Sequence, residues 1–428
     1  MIDFRNTAPL SKKISTLEYR VPEEHSFGDH VRLYQSKPAQ NEVVKLQLFI
    51  PGGSRFQSRK NQARGAATLS LSGTSQHTSD QIQEQIEYWG SSVDFDNHVF
   101  GTDISIKALK KNFIDTVSWV FEHHVEALYP EAEIAIYQQT EYAAMQRKLT
   151  TPRYWAGRKS SEAVFGPNSP MTGYSDLEDL KQIDRETLMA YHKQWIQPGM
   201  GVWYLSGDTD ASTVSALHDI WKMLPNAQVQ AVPQEREFSP AAAKHIEHPM
   251  ENTSQVSMVL CRELPAIDEI QFHKMGLLNL ILGGFFGSRL MQEIREERGL
   301  TYGIGSYISQ TTRGNMWNIS GEMNSQNARQ ALEATREIMQ SMIDNPPAGE
   351  ELNRAKSYYA GQVRSSFDGP FAMANKMRGL HLRGYTYRHL DLALDTVWST
   401  DTAELCALAD NYLRPDTFYS ALAGDLLP

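Results

Sequence analysis

Apolar and polar residues alternate along Val43-Val-Lys-Leu-Gln-Leu-Phe-Ile50 and stop at Pro51-Gly-Gly, which predicts a β-strand closed by a turn. Upstream, His30-Val-Arg-Leu-Tyr-Gln35 reads as the first edge strand. The period then changes. A short helix fills Gln62 to Leu71 and ends at Gly73-Thr74. A second opens on the capping box Thr78-Ser-Asp-Gln81, carries Ile82, Ile86 and Trp89 on one face, and stops at Gly90. Ser91–Asn97 and Thr102–Leu109 predict a hairpin. Phe113, Val117, Val120 and Phe121 stripe a further helix, and another follows Pro130 with Glu131 and Glu133 at its positive end. More helix runs from Pro152 to Gln194, broken near Gly166-Pro-Asn-Ser-Pro170. The strand Gly201-Val-Trp-Tyr-Leu-Ser-Gly-Asp208 and a helix to Leu224 close this half.

The pattern then repeats. Pro130 and Pro347 each open a helix with an early glutamate, Pro198 and Pro415 each precede a strand, and Gly207-Asp208 and Gly424-Asp425 each end Leu-x-Gly-Asp. Each pair is separated by 217 residues. One fixed offset of about half the chain implies two copies of one α+β unit. The expected organisation is an N-terminal half over 1–224, a linker over 225–249 rich in Pro, Ala, Gln and Glu, and a C-terminal half over 250–428. Strands cluster early and late in each half, so the predicted fold class is α+β. Each half should hold a mostly antiparallel sheet with helices on one face, and the two halves should form a clamshell around a central cavity.

Composition narrows what such a cavity could take. Hydrophobic residues at 41% and charged residues at 21% describe a soluble globular chain. A net charge of −10, without a basic stripe, argues against nucleic acid. Cys261 and Cys406 make neither a disulfide framework nor a metal set. The longest nearly apolar run, Met275 to Phe286, is too short to cross a bilayer, so no membrane association is expected. The N-terminal residues lack the apolar core of a signal peptide, which points to the cytoplasm and leaves the periplasm as the other compartment.

The most distinctive stretch is Gly283-Gly-Phe-Phe-Gly-Ser-Arg-Leu-Met-Gln-Glu-Ile-Arg-Glu-Glu-Arg-Gly-Leu-Thr-Tyr302. A glycine cluster leads into a helix closed by Gly299, and a strand follows. Arg295 stands near the helix end and Tyr302 on the strand, seven positions on, so a guanidinium and a phenol could hold one carbonyl or carboxylate between them. By themselves, Arg289, Glu293, Arg295, Glu296, Glu297 and Arg298 read equally as a solvated face with ion pairs.

Two homologous halves with this stretch early in the second resemble the pitrilysin/insulinase family of zinc peptidases, which includes mitochondrial processing peptidase and the core proteins of respiratory complex III. The resemblance implies that Arg295 and Tyr302 reach the substrate carbonyl and help stabilise the oxyanion. It also implies a His-x-x-Glu-His zinc site on the first long helix, with a further Glu from a later helix. The corresponding stretch here, Arg64-Gly-Ala-Ala-Thr-Leu-Ser-Leu-Ser-Gly-Thr74, contains no His, Glu, Asp or Cys. The third ligand's position falls on Thr140, and the adjacent Glu141 is expected to have no partner ligands with which to hold a metal. Two other histidine groups have spacings that invite a ligand reading. His245-Ile-Glu-His248 falls in the linker, and His123-His124 reads as a surface feature of its helix.

The expectation is therefore a non-catalytic subunit that binds a peptide substrate and supplies Arg295 and Tyr302 in trans. No cofactor is expected in this chain; zinc would belong to a homologous partner subunit. The alternatives are an inactive homodimeric scaffold or peptide-binding protein and, more weakly, an active metallopeptidase with an unorthodox site.

Overall fold

The structure, a computed structural model, describes residues 13–36, 42–167, 169–225, 240–311 and 314–426. The first half runs β1 (Glu23–Phe27), β2 (Val31–Gln35), β3 (Val43–Ile50), α1 (Gln62–Thr68), α2 (Ser79–Tyr88), β4 (Ser92–Asn97), β5 (Thr102–Leu109), α3 (Phe113–Val125), α4 (Glu131–Leu149), α5 (Pro152–Phe165), α6 (Leu177–Lys181), α7 (Arg185–Trp195), β6 (Val202–Gly207) and α8 (Ala211–Met223). The second runs β7 (His245–Pro249), β8 (Val256–Leu264), α9 (Glu269–Asn279), β9 (Thr301–Gln310), β10 (Asn315–Met323), α10 (Ala328–Asp344), α11 (Gly349–Ser365), α12 (Pro370–Leu382), α13 (Arg388–Ser399), α14 (Thr402–Tyr412) and β11 (Tyr419–Gly424). The chain is a mixed α+β protein with two sheets.

The sheets share one topology. The first has the order β1-β2-β6-β3-β5-β4 and the second β7-β11-β8-β10-β9. In each, the late strand pairs in parallel with an early one, β6 with β2 and β11 with β7, and every other pairing is antiparallel. Both late strands end in a glycine at positive φ, Gly207 and Gly424, where a Cβ would strike the backbone of the neighbouring strand. The repeated glycines thus have a repeated geometric cause.

Two readings change here. β1 lies outside β2, so the strand expected at the edge is covered by one the sequence did not announce. Residues 226–239 of the expected linker lie outside the described residues, while His245–Pro249 form the edge strand β7. β7 lies beside β11 because its backbone needs a partner there.

Helices cover both faces of each sheet rather than one. In the first half α2, α3 and α8 bring Ile82, Ile86, Phe113, Val117, Phe121 and Leu217 onto one face. The opposite face receives α12, from the second half: Met373 and Met377 pack with Tyr204, Val202 and Phe49. Reciprocally, α5 of the first half lays Val164 and Phe165 against Cys261, Val259 and Met316 of the second sheet. The face under α12 mixes these apolar residues with buried Lys45, Gln47 and Asp103; α12 meets Lys45 through Asn375 and Asp103 through Arg378, and each half lends a helix to the other. Arg378 of α12 fixes one crossing with a two-pronged ion pair to Asp103 of β5, and His98 Nε2 lies 3.0 Å from the same carboxylate.

Candidate functional site

The residues between α9 and β9 wind as two π-helical turns, Leu280–Gly284 and Met291–Glu297, a winding often found at functional sites. The first turn presses against β9. A Cβ on Gly283 would lie 2.7 Å from Ser306 Cβ and 2.8 Å from Ser306 N. Asn279 and Ser306 hydrogen-bond there (Oγ to Oδ1, 2.7 Å), and the buried Trp317 Nε1 donates to Ser306 Oγ at 2.7 Å. Gly283→Ala should therefore push the turn off the strand, at about 1–3 kcal/mol, read as a lowered denaturation midpoint.

The charged run after it is only partly a solvated face. Arg289 clamps Glu351 of α11 with Nε and Nη2 at 2.8 and 2.9 Å, and its Nη1 donates to Ser341 O of α10 at 3.1 Å. Arg289 is a structural tie. Arg298 reaches the exposed Glu337 at 3.0 Å, in keeping with the solvated reading. Arg295 is held more lightly: it pairs with the neighbouring Glu296 at 3.2 Å, and its guanidinium lies 5.0 Å above the Phe286 ring.

Gly299, at φ 61°, ends the second turn as expected, and β9 begins. The β9–β10 ladder then slips: Gly303 faces Glu322 while Thr301 faces Met323, leaving Tyr302 as the extra residue of a β-bulge. Thr301 Oγ1 secures the bulge by donating to Glu322 O at 2.5 Å. Bulges re-aim side chains, and Tyr302 is 85% exposed. Arg295 and Tyr302 thus lie on consecutive elements of one corner, both available, and do not hydrogen-bond each other.

The first-half stretch that would hold zinc holds an ion pair. Arg64 of α1 donates through Nη2 to Glu141 Oε1 of α4 at 3.0 Å. Glu141 thus pairs with a cation and not with a fellow metal donor; the two residues are 77 positions apart in sequence. Beside them Tyr137 is buried with its hydroxyl unpartnered among the described residues, and burial, reinforced by Glu141, pushes its phenol up. Ala66, Ala67 and Thr68 complete the turn and offer no imidazole or carboxylate. A fixed guanidinium at the one available carboxylate repels a metal cation, so this donor set does not fit zinc. Among the described residues, no three His, Cys, Asp or Glu side chains cluster as a metal site.

The paired histidines also differ from expectation. His123 and His124 are both buried, because α3 is packed on more than one side. His123 Nε2 meets His77 Nδ1 at 2.9 Å, while His124 Nε2 donates to Ile196 O at 2.8 Å. His124 stacks near His192, ring centroids 4.5 Å apart, and Tyr129 ties His192 to α1 by accepting from His192 Nδ1 and donating to Ala66 O. Burial pulls His124 down to about 4 and His192 well below its ordinary value. On the other side, His245 and His248 sit on β7: His245 pairs with Glu247 and Ser420, and His248 stacks on Trp155.

Residues 182–359 match the family model described as the Peptidase M16 inactive domain. Among curated proteins, the chain is 22% identical over 333 residues to "Uncharacterized zinc protease YmxG" of Bacillus subtilis, covering 76% of this chain and 79% of that one. It is 23% identical over 325 residues to "Non-peptidase homolog YmxG" of Helicobacter pylori, with 74% of each covered. Residues 182–359 thus match the M16 inactive domain, and the chain is similar over about three quarters of its length to proteins named after zinc proteases of this kind. Its fold superposes on the crystal structure of a peptidase M16 inactive domain from Pseudomonas fluorescens with a TM-score of 0.83 at 20% identity, covering 95% of this chain and 98% of that one. A Helicobacter pylori protease matches with the same TM-score at 13% identity, covering 95% and 100%. The chain therefore shares its fold with structures titled as a peptidase M16 inactive domain and as a protease.

Proposed function

We propose that this chain is a non-catalytic M16 subunit whose two halves close as a clamshell around a polypeptide. It acts beside a zinc-bearing homologous subunit, with Arg295 and Tyr302 presented to the bound peptide. The observation that carries this reading is the Arg64–Glu141 ion pair standing where a metal and its base would be needed. The match to a family described as an inactive domain, and a relative named a non-peptidase homolog, support it. In this reading Arg295 donates to the peptide carbonyl and Tyr302 Oη donates beside it, so negative charge developing on that oxygen meets two positioned donors. Bond cleavage belongs to the partner. No helix among the described residues is long and apolar enough to cross a membrane, and we place the complex in the cytoplasm.

The test is reconstitution. The purified chain should contain far less than one zinc per molecule by elemental analysis and should cleave no peptide. Adding a His-x-x-Glu-His homologue from the same organism should produce cleavage beyond that of the homologue alone. Chelator-sensitive hydrolysis by the isolated chain with one zinc bound would overturn the reading. A stable homodimer indifferent to the homologue would favour the scaffold alternative.

A further inference from the structure

α12 carries two cations that no carboxylate answers. Lys376, Gly379 and Arg383 stand at i, i+3 and i+7 and so share one face of the helix, flanking the stripe of Met373 and Met377 that packs on the first sheet. Both basic side chains are half-buried. Among the described residues Lys376 has neither a hydrogen bond nor an ion pair. Arg383 reaches one neutral acceptor, Asn315 Oδ1 of β10 at 3.4 Å, and its guanidinium lies 5.0 Å over the Phe272 ring of α9. Burial lowers both groups from their ordinary values, and at Lys376 the neighbouring Arg383 adds to the effect.

The acids of this corner are engaged elsewhere. Glu269 is taken by His389 Nδ1 at 2.9 Å, and Asp268 caps α9 by accepting from Gln271 N at 2.7 Å. The uncompensated charge reaches inward: Lys376 and Arg383 both repel a proton from His389, and Lys376 does so at His273. Arg383 caps the carbonyl end of α12, where a cation is favoured, but Lys376 stands nearly two turns earlier, beyond that effect. Between the two lies room. A Cβ on Gly379 would meet nothing within 4 Å among the described residues, so the floor is bare backbone.

The first half shows how such a cation is otherwise satisfied. Pro370 opens α12 as Pro152 opens α5, 218 residues earlier, and the same offset sets Lys376 opposite Arg158 and Leu380 opposite Glu162. Arg158 is clasped by Glu162 at 2.7 Å and by Asp176 at 2.6 Å. In α12 the cation is kept while a leucine stands in place of that glutamate. A half-buried cation without a counter-charge costs stability unless a ligand supplies one.

We propose that Lys376 and Arg383 form an anion site on α12, which takes a small, multiply charged oxyanion of the phosphate or carboxylate class over Gly379. The pairing of an ammonium with a planar guanidinium fork suits an oxyanion better than a halide. Occupancy would stiffen the helix that the second half lends to the first sheet. The site is independent of whether the chain binds polypeptide, so neither outcome below bears on that reading.

The experiment is isothermal titration calorimetry of the full chain with inorganic phosphate and, separately, with citrate, in chloride buffer of matched ionic strength. Either anion should bind the wild type, and Lys376→Met and Arg383→Met should each weaken that binding about ten-fold, the usual loss of about 1.4 kcal/mol for one charged contact. Lys222→Met, which removes an exposed lysine of α8 paired with Asp219, should leave it unchanged. Hydrogen exchange of segments covering 370–383 should slow about three-fold with the anion in the wild type alone. Lys376→Met should also melt above the wild type in chloride, because it removes a half-buried cation that lacks a counter-charge. Phosphate and citrate stabilise many folds simply by exclusion from the surface, so a melting shift shared by wild type and variants does not count as binding. Tighter binding of one anion names the ligand class. No heat and no protection with either anion, or equal affinity in the wild type and both variants, would overturn the site.

Discussion

Arg295→Ala should lower the turnover of the reconstituted two-subunit peptidase by about a hundred-fold, the usual cost of losing one positioned oxyanion donor. The loss should fall on kcat more than on KM, because a donor aimed at developing charge contributes most in the transition state. Tyr302→Phe should have a smaller effect of the same kind, since it removes only the hydroxyl. Neither change should disturb folding. Among the described residues Arg295 pairs with its neighbour Glu296 and rests on Phe286, while the Tyr302 ring is largely exposed. Steady-state kinetics of the complex, with thermal melts of the variants as control, decide it: full turnover in Arg295→Ala would remove this residue from the proposed role.

Acidification should destabilise the fold steeply below pH 6.5. His124 and His273 are held down to about 4, His192 lies well below its ordinary value, and His389 is drawn to about 3, burial being the first cause in each case. His273 donates from Nε2 to His389 O and accepts the Tyr359 hydroxyl at Nδ1, both at 3.0 Å. Lys376 and Arg383 add repulsion at His389, while Glu269, 2.9 Å from His389 Nδ1, opposes it. Above pH 6.5 these imidazoles are neutral in folded and unfolded chains alike, so pH has no purchase there. Between 6.5 and about 4 the unfolded chain binds protons that the folded one refuses, and stability falls as pH falls. The fully buried His124 accounts for up to about 2 kcal/mol by pH 5, since every tenfold difference in proton affinity is worth about 1.4 kcal/mol, and His192 acts in the same direction. Denaturant midpoints at pH 7.5, 6 and 5 would read the loss, and equal midpoints at 7.5 and 5 would refute it.

Much of the fold was legible because local chemistry and tertiary demand agreed. The alternation of Val43–Ile50 is β3, and the Thr78–Gln81 capping box is formed at the start of α2. The 217-residue spacing reappears as two sheets of one strand order. What escaped was nonlocal. β1, Glu-Glu-His-Ser-Phe, has little alternation and few strand-forming residues, and it is ordered by pairing with β2. α5 and α12 show weak amphipathic patterning because each is wedged between elements, so nothing in them announces a partner in the other half. His123 and His124 looked exposed because helical periodicity assigns one buried face, whereas α3 is packed on more than one. The corner around Arg295 and Tyr302 was found through its motif, but neither the π-helical winding nor the bulge that turns Tyr302 outward leaves a mark in composition. Arg64 and Glu141 each looked unremarkable alone; their meaning lies in the pair.

The exchange of α5 and α12 sets an order of events during synthesis. The first sheet is complete once β6 leaves the ribosome, yet the helix that covers its second face is encoded at residues 370–382. At about 5–20 residues per second, that face stays bare for roughly 10–35 s. That face carries Lys45, Gln47 and Asp103 beside Phe49, Val202 and Tyr204, so the first sheet waits for the second half both to cover its aromatic residues and to bring Arg378 to Asp103.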